Sequence, residues 1–229
     1  MQAVFDNFDA YLQGFGYVLA LFLVSGVLSM ALGTFLVAMR VGPVAVLRAA
    51  GTFYVTVVRN TPLVIVFAFF AFAAPSLSIR FNWLDVHVGD YDFTELFGAA
   101  VVSLTLYTST FVCEALRSGV NAVPLGQAEA ARAVGLPFTG VMTQVVLPQA
   151  FRAALPPLAS VQIALIKNTS VAAVFGIAEA TAEMRSLLNN FGATQKFGIF
   201  VCFALGYIIL VEVFSFLSNR LERRWRLAT

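Results

Sequence analysis

Long uncharged apolar runs constrain this chain more than any other feature of its sequence. One of them, YVLALFLVSGVLSMALGTFLVAM from Tyr17 to Met39, has the length that a helix needs to cross a lipid bilayer, about 20 residues. Hydrophobic residues make up 60% of the 229 and charged residues only 11%, a balance that a soluble domain of this size could not hide from water. We therefore expect an all-α polytopic membrane protein, with residues 1–229 forming one transmembrane domain.

Uncharged stretches of this length predict about five transmembrane helices. Arg59 interrupts the second of them near its start, and the sequence KNTS interrupts the fourth. An odd number of spans places the two termini on opposite sides of the membrane. The predicted spans are residues 17–39, 51–74, 96–113, 155–178 and 197–217.

Basic residues are distributed unevenly between alternate ends of these spans. Short cytoplasmic loops collect Lys and Arg, so the richer set marks the cytoplasmic side. The opposite set of loops carries only Arg80, Arg185 and Lys196. The pattern predicts an external N-terminus and a cytoplasmic C-terminus with a basic tail at 218–229. The richer set is Arg40, Arg48, Arg59, Arg117, Arg132, Arg152, Arg220, Arg223, Arg224 and Arg226.

Two segments outside the spans carry further expectations. Apolar residues from Val4 to Phe15 recur at helical spacing, which predicts a short external amphipathic helix within residues 1–16, an unstructured tail being the alternative. His87 lies in an outer loop with Asp85, Asp90 and Asp92, where a surface role is expected rather than a metal site. A net charge of +2 gives no indication of nucleic-acid binding.

The longest polar segment on the predicted cytoplasmic side covers residues 118–154. Its first part, 127–134, is rich in good helix formers, and Gly135, Leu136 and Pro137 form a helix stop. A second apolar pattern at helical spacing runs from Phe138 to Val146 and is expected to end at Pro148. Two short helices with a bend at Gly135 make a shape suited to docking a partner, and an ordinary connecting loop is the alternative.

The residues of this segment carry a recognisable motif. Glu129-Ala130-Ala131, then Gly135, then Val145, Leu147 and Pro148 resemble the EAA…G…I-x-L-P pattern of the inner-membrane permease subunits of bacterial ABC importers, with Val in place of Ile. The stretches VRNTPLVIVF, EALRSGVNAVPLGQAEAARAVGL, LPQAFRAALPPL and LIKNTSVAAVFG extend the resemblance, from Tyr11 onward, to the polar amino-acid branch. The chain looks most like the glutamate-uptake permeases of actinobacteria.

This resemblance implies a type I importer permease fold and a specific role for the polar segment. In the family, the segment forms a coupling helix that sits in a cleft of a cytoplasmic ATP-binding-cassette ATPase. By resemblance Glu129, Ala130, Ala131 and Gly135 hold that contact, with Leu147 and Pro148 completing the motif; a solvated surface charge is the alternative for Glu129. A side chain at Gly135 would block the bend.

The resemblance also implies partners. The sequence lacks a G-x-x-x-x-G-K phosphate loop, so we expect this chain to bind no cofactor and a separate ATPase to use ATP and Mg²⁺. Five spans are few for a closed pathway, which implies a second permease subunit, either a related chain or an identical copy. A substrate-binding protein is expected to land on the outer loops.

The substrate pathway is expected at the interruption of the fourth span. Lys167 is a costly charge near the membrane centre, and Asn168, Thr169 and Ser170 beside it could interrupt the helix and line a polar path. An ammonium group suits a carboxylate-bearing substrate, and Asn168 replaces an Asp found in many relatives, which favours an acidic substrate. Alternatively, Lys167 is structural and bonds backbone carbonyls or pairs with Glu114 or Glu212 at a subunit interface.

Arg59 and Thr61 complete the candidate residues. Arg59 is expected to anchor the inner end of the second span, with a gating role as the alternative. Glu114 and Arg117 are three apart and can pair on one helix. A carrier driven by an ion gradient is the alternative function, but it needs an acid in mid-membrane, and Glu114 and Glu212 lie near span ends. A membrane-embedded enzyme would need a cluster of reactive side chains that the predicted spans lack.

Overall fold

The computed structural model describes residues 2–81 and 86–225 of the chain. Asp85 of the outer loop and Arg226 of the basic tail lie outside this part. The described chain is almost entirely helical. Its helices are α1 (Gln2–Phe5), α2 (Phe8–Val41), α3 (Ala45–Asn60), α4 (Leu63–Ala68), α5 (Ala74–Ser76), α6 (Glu95–Asn121), α7 (Leu125–Ala133), α8 (Phe138–Gly140), α9 (Leu147–Asn168), α10 (Ala180–Asn190) and α11 (Ala193–Trp225).

Four helices in the described part are long and apolar enough to cross a membrane. They run over Phe8–Val41, Glu95–Asn121, Phe138–Phe175 and Ala193–Arg224, and each contains most or all of one predicted span. The pair Ala45–Asn60 and Leu63–Ser76 brings the number to five if the bent pair counts as one span. The all-α polytopic fold with about five spans is thereby confirmed.

The second span, predicted over 51–74, is not one straight helix. Its two halves, Ala45–Asn60 and Leu63–Ser76, are bent by 102°. Thr61 adopts an extended backbone (φ −85°, ψ 130°) because the ring of Pro62 excludes the α conformation from the residue before it. A π-helical turn at Phe69–Ala73 then joins α4 to α5.

The N-terminal aromatic residues belong to the first long helix rather than to a separate surface helix. α1 covers only Gln2–Phe5, and α2 begins at Phe8. Tyr11 and Phe15 pack their rings against Phe203 and Tyr207 of α11, with ring centroids 4.9–6.1 Å apart. Residues 8–16 are therefore the first turns of α2, and α11 covers the Tyr11 and Phe15 part of the apolar face that the sequence pattern assigned to the membrane surface.

Small residues on α2 set its distance from α6. Ser25, Ser29 and Gly33 recur every four residues on one face, and all three are buried. A methyl group at Gly33 would lie 2.4 Å from a methyl carbon of Val112 and 3.0 Å from the carbonyl oxygen of Ser109. Lipid is as apolar as a leucine side chain, so membrane helices associate through such close packing. α6 in turn meets α9 at another small residue, Gly119, which lies against Ala150 and Ala154.

A β-hairpin before α6 was not expected from the sequence. Strands β1 (Val86–Val88) and β2 (Tyr91–Phe93) pair antiparallel. The backbone N–H of Asp92 donates to the hydroxyl of Tyr17 at 2.8 Å, which ties the hairpin to α2. His87 contacts the carboxylate of Asp92 across the hairpin, and no group of three metal-binding side chains occurs within the described ranges.

We expect Gly33→Ala to destabilise the protein by roughly 1–3 kcal/mol, because the added methyl group must push α2 away from α6. Thermal unfolding of the purified protein in one detergent measures the effect. Gly192→Ala is the matched control, since nothing lies within 4 Å of a methyl group there. Equal unfolding temperatures for the two variants would contradict the close-packing account.

Candidate functional site

The polar segment after α6 turns back sharply at Gly135, as the sequence predicts. Gly135 has φ +88°, a conformation that side chains disfavour. Its N–H donates to the carbonyl of Arg132 at 2.9 Å, and the N–H of Leu136 donates to the carbonyl of Ala131 at 3.2 Å. These two bonds form a Schellman motif, which ends α7 at a fixed angle.

The second half of the segment differs from the prediction. Residues Phe138 to Val146 form α8 and a π-helical turn, Val141–Val146, that runs straight into α9. Pro148 does not break this helix, because it occupies the first turn of α9 and the π turn before it accommodates the missing N–H. The predicted second short helix is thus the start of the long helix Phe138–Phe175, which contains most of the predicted fourth span.

α7 and the π turn form one small apolar core. Ala131 is 7% exposed and packs with Val141 and Val146. Leu136, the residue after the glycine, also packs against this cluster. Ala131 therefore serves inside the segment in this conformation, whereas the resemblance assigned it to the partner contact. The cluster fixes α7 to the start of α9.

The outer surface of the segment combines one carboxylate with exposed apolar side chains. Glu129 and Ala130 are exposed, as the motif requires of a contact surface. Leu125, Val134 and Phe138 are 81%, 80% and 61% exposed, although they lie at the polar end of the molecule. The sequence did not indicate these three residues as a contact surface, and Phe138 was expected only as part of the apolar pattern of a second short helix. Their positions could have indicated them, because they lie outside the Glu129-Ala130-Ala131 motif and flank it on both sides.

Leu147 and Pro148 complete the motif at the start of α9. Leu147 is 47% exposed and Pro148 is also exposed, so both remain available to a partner. The structure therefore places Glu129, Ala130, Leu147 and Pro148 on the surface of one connected segment.

A cavity with a mostly apolar lining and a few polar side chains lies between α6 and α9. Its volume is about 320 Å³, in the range of small-molecule sites. Asn168, one of the predicted pathway residues, lines it together with Thr108 and Ser160. The sequence did not indicate Thr108 or the aromatic residues of α6. Thr108 is 3% exposed and its hydroxyl has no hydrogen-bond partner among the described residues. The lining residues are Tyr107, Thr108, Phe111, Ser160, Val161, Ala164 and Asn168.

The KNTS stretch divides into different environments. α9 ends at Asn168 and a 3₁₀ helix, Thr169–Phe175, follows, so the predicted interruption is present. Thr169 and Ser170 donate their hydroxyls to the carbonyls of Ile166 and Lys167, at 2.8 and 2.7 Å. Lys167 is exposed, and helical periodicity places it on the same face as Ser160 and Ala164.

Arg59 and Thr61 lie at the bend between α3 and α4. Thr61 donates its hydroxyl to the carbonyl of Val57 at 2.9 Å. An Arg59 Nη1 atom is 3.9 Å from the carboxylate of Glu114. Glu114 also pairs with Arg117, as predicted, at 2.7 Å, and with Arg40 at 2.5 Å. Because arginines already neutralise Glu114, its carboxylate is a poor site for a coupling proton or sodium ion. For the same reason it does not require Lys167 as a partner.

Glu179 is a fully buried carboxylate that sequence reasoning placed only in an outer loop. It caps α10, accepting from the N–H groups of Thr181 and Ala182 at 2.9 and 3.2 Å. The hydroxyl of Tyr207 on α11 donates to its other oxygen at 2.7 Å. Burial raises the pKa of Glu179, and these hydrogen bonds oppose the shift. The carboxylate joins α10 to α11.

We expect Glu179→Ala to cost about 1–3 kcal/mol of stability, because it leaves buried donors without a partner. Glu179→Gln keeps an acceptor for the two backbone groups and loses less. Glu183→Ala on the same helix is the control, measured by thermal unfolding.

The raised pKa adds a pH dependence. The folded state binds the proton of Glu179 more tightly than the unfolded state does. The stabilisation from this tighter binding is complete below the ordinary pKa of a carboxyl group and is lost as the pH rises through the pKa of Glu179 in the folded state. This part of the pH dependence should vanish in Glu179→Gln. An unchanged profile would contradict the assignment.

The comparisons with known proteins agree with this geometry. Residues 29–227 match the family of inner membrane components of binding-protein-dependent transport systems. The chain is 44% identical over 208 residues to the glutamate transport system permease protein GluC of Corynebacterium efficiens, covering 90% of this chain and 89% of that one. The corresponding protein of Corynebacterium glutamicum is 41% identical over 222 residues, covering 96% and 95%.

A solved structure shows the same fold. A chain of an amino acid ABC transporter crystallised with histidines has a TM-score of 0.83 and covers 97% of each chain at 24% identity. None of these similarities favours a carrier driven by an ion gradient.

Proposed function

Because the chain belongs to the family of inner membrane components of binding-protein-dependent transport systems, we propose that it imports a polar amino acid, glutamate, with energy from a separate ATPase. The resemblance to glutamate permeases supports the substrate. The ATPase, rather than this chain, would bind ATP and Mg²⁺. The observation that carries the proposal is the exposed surface of the segment from α7 to the start of α9.

This surface has the composition of a docking site. Exposed apolar side chains in water mark an interaction site, and Leu125, Val134 and Phe138 are exposed on the same segment as Glu129. Glu129 would pair with a basic residue of the ATPase, while Ala130 permits close approach. Leu147 and Pro148 extend the contact along the start of α9.

A single helix connects this surface to the cavity. The helix from Phe138 to Asn168 is continuous, a length of about 45 Å at 1.5 Å per residue. Its first turns are fixed to α7 by the cluster around Ala131, and its last turns carry Ser160 and Asn168. A movement of the docked segment would therefore reach the cavity along one continuous helix.

The cavity is the proposed substrate path. Thr108 offers a buried hydroxyl and Asn168 an uncharged amide, which suits a ligand that already carries negative charge. Lys167, on the same face of α9, would attract the side-chain carboxylate of glutamate. Thr169 and Ser170 would hold the end of the helix in position, and Arg59 and Thr61 would act at the α3–α4 bend.

The remaining partners and the orientation follow from the family and from the distribution of charge. A second permease subunit would complete the pathway, and a substrate-binding protein would dock at the outer end, near the hairpin and α10. The arginines at the docking end support a topology in which that end and the C-terminus would lie in the cytoplasm of a bacterial cell, with the N-terminus outside.

We expect Gly135→Ala to reduce ATP-dependent uptake by roughly tenfold, because the left-handed conformation of this residue costs a side chain about 1–2 kcal/mol and the angle of α7 would change. Uptake into vesicles that contain the complete transporter measures it. Gly126→Ala is the control, since both sites have nothing within 4 Å and only Gly135 has a positive φ. Full uptake by Gly135→Ala would contradict the coupling role of the bend.

Asn168→Asp and Lys167→Ala are expected to weaken glutamate transport, by roughly tenfold or more in apparent affinity, because each makes the cavity more repulsive to a carboxylate. Binding-protein and ATPase co-purification should be unchanged. Lys196→Ala, which changes an exposed lysine in the first turn of α11, is the control. Loss of assembly with Lys167→Ala would show a structural role instead.

A further inference from the structure

One carboxylate joins three helices at the end of the molecule that carries α7. Glu114 of α6 accepts from Arg40 of α2 through one oxygen, at 2.5 Å. Its other oxygen accepts from Nη2 and Nε of Arg117, at 2.7 and 3.2 Å. Arg59 of α3 approaches the first oxygen to 3.9 Å. Three positive charges therefore compete for one negative charge.

The three arginines are held unequally. The side chain of Arg40 is 11% exposed, and a methyl group at Gly51 of α3 would lie 3.0 Å from its Cγ, so α3 covers it. The side chain of Arg59 is 44% exposed, and 3.9 Å is too long for a hydrogen bond. Arg59 is thus the arm of the cluster that separates most easily.

The weak contact between Arg59 and Glu114 lies beside the bend that joins α3 to α4. Arg59 is in the last turn of α3, directly before the 102° bend at Thr61 and Pro62. Glu114 is seven residues before the end of α6, which leads into α7. The contact therefore spans from the bend to the helix that precedes the docking segment.

We propose that Arg59 and Glu114 form a releasable clasp, closed in this structure, that holds the α3–α4 bend against α6. The clasp opens when the end of α6 nearest α7 moves. Arg40 and Arg117 then neutralise Glu114 without Arg59, so the open state stays accessible. The proposal rests on the proposed function only for what drives the movement.

Spin labels test the clasp directly. Val57 of α3 and Ser118 of α6 are exposed and can be replaced by cysteine in a Cys202→Ala background, since the remaining Cys113 is buried. Distances between the labels are measured in lipid vesicles by pulsed electron resonance. Arg59→Gln should raise the population of longer distances by roughly two- to fivefold, the range that an exposed ion pair supports.

Two further variants make the test specific. Arg59→Lys keeps the charge and should restore the short distance. Arg48→Gln removes an arginine from the same helix that bonds the carbonyl of Gly42 and pairs with no carboxylate of the described residues, so it should leave the distances unchanged. Unchanged distances in Arg59→Gln, or an equal change in Arg48→Gln, would overturn the clasp.

The complete transporter provides a second readout. ATP hydrolysis without substrate should rise by a similar factor in Arg59→Gln, because a loosened clasp frees the docking end. Failure of the proposed function would appear as wild-type vesicles without ATP-dependent uptake. The distance measurement does not depend on that uptake, so the two failures are distinguishable.

Discussion

Close packing between α2, α6 and α9 is the interaction on which the rest of the structure depends. Lipid provides no hydrophobic force to drive these helices together, so contact depends on small residues that let backbones approach. Ser25, Ser29 and Gly33 bring α2 onto α6, and Gly119 brings α6 onto α9 at Ala150. α6 is thereby fixed between two other helices, and both the cavity and the arginine cluster are positioned from it.

This arrangement concentrates function on two helices. α6 carries Thr108 in the cavity and Glu114 in the arginine cluster, six residues nearer to the docking end. The helix that leads into α9 begins in the docking segment and ends at Asn168, in the wall of the same cavity. Because both helices run from the docking end to the cavity, a small movement at one end requires no flexible intermediate to be felt at the other.

The buried polar groups differ in whether their partners are already supplied. Glu179 accepts hydrogen bonds at both oxygens, and Glu114 is surrounded by arginines, so each is satisfied by the fold itself. Thr108 differs, because its buried hydroxyl lacks a partner among the described residues. Satisfied groups hold helices in place, whereas an unsatisfied group beside a cavity is the kind that a ligand completes.

The sequence by itself determined four of the spans, the end of α7 at Gly135 and the break after Asn168, because apolar run length and turn chemistry are local properties. It did not indicate the bend at Pro62 and wrongly expected Pro148 to end a helix. A proline bends the chain at one of these positions and is accommodated next to a π turn at the other. Only the tertiary structure paired Arg40 with Glu114, 74 positions away, and exposed Phe138. Such contacts depend on how helices lie against one another, which no local pattern of residues records.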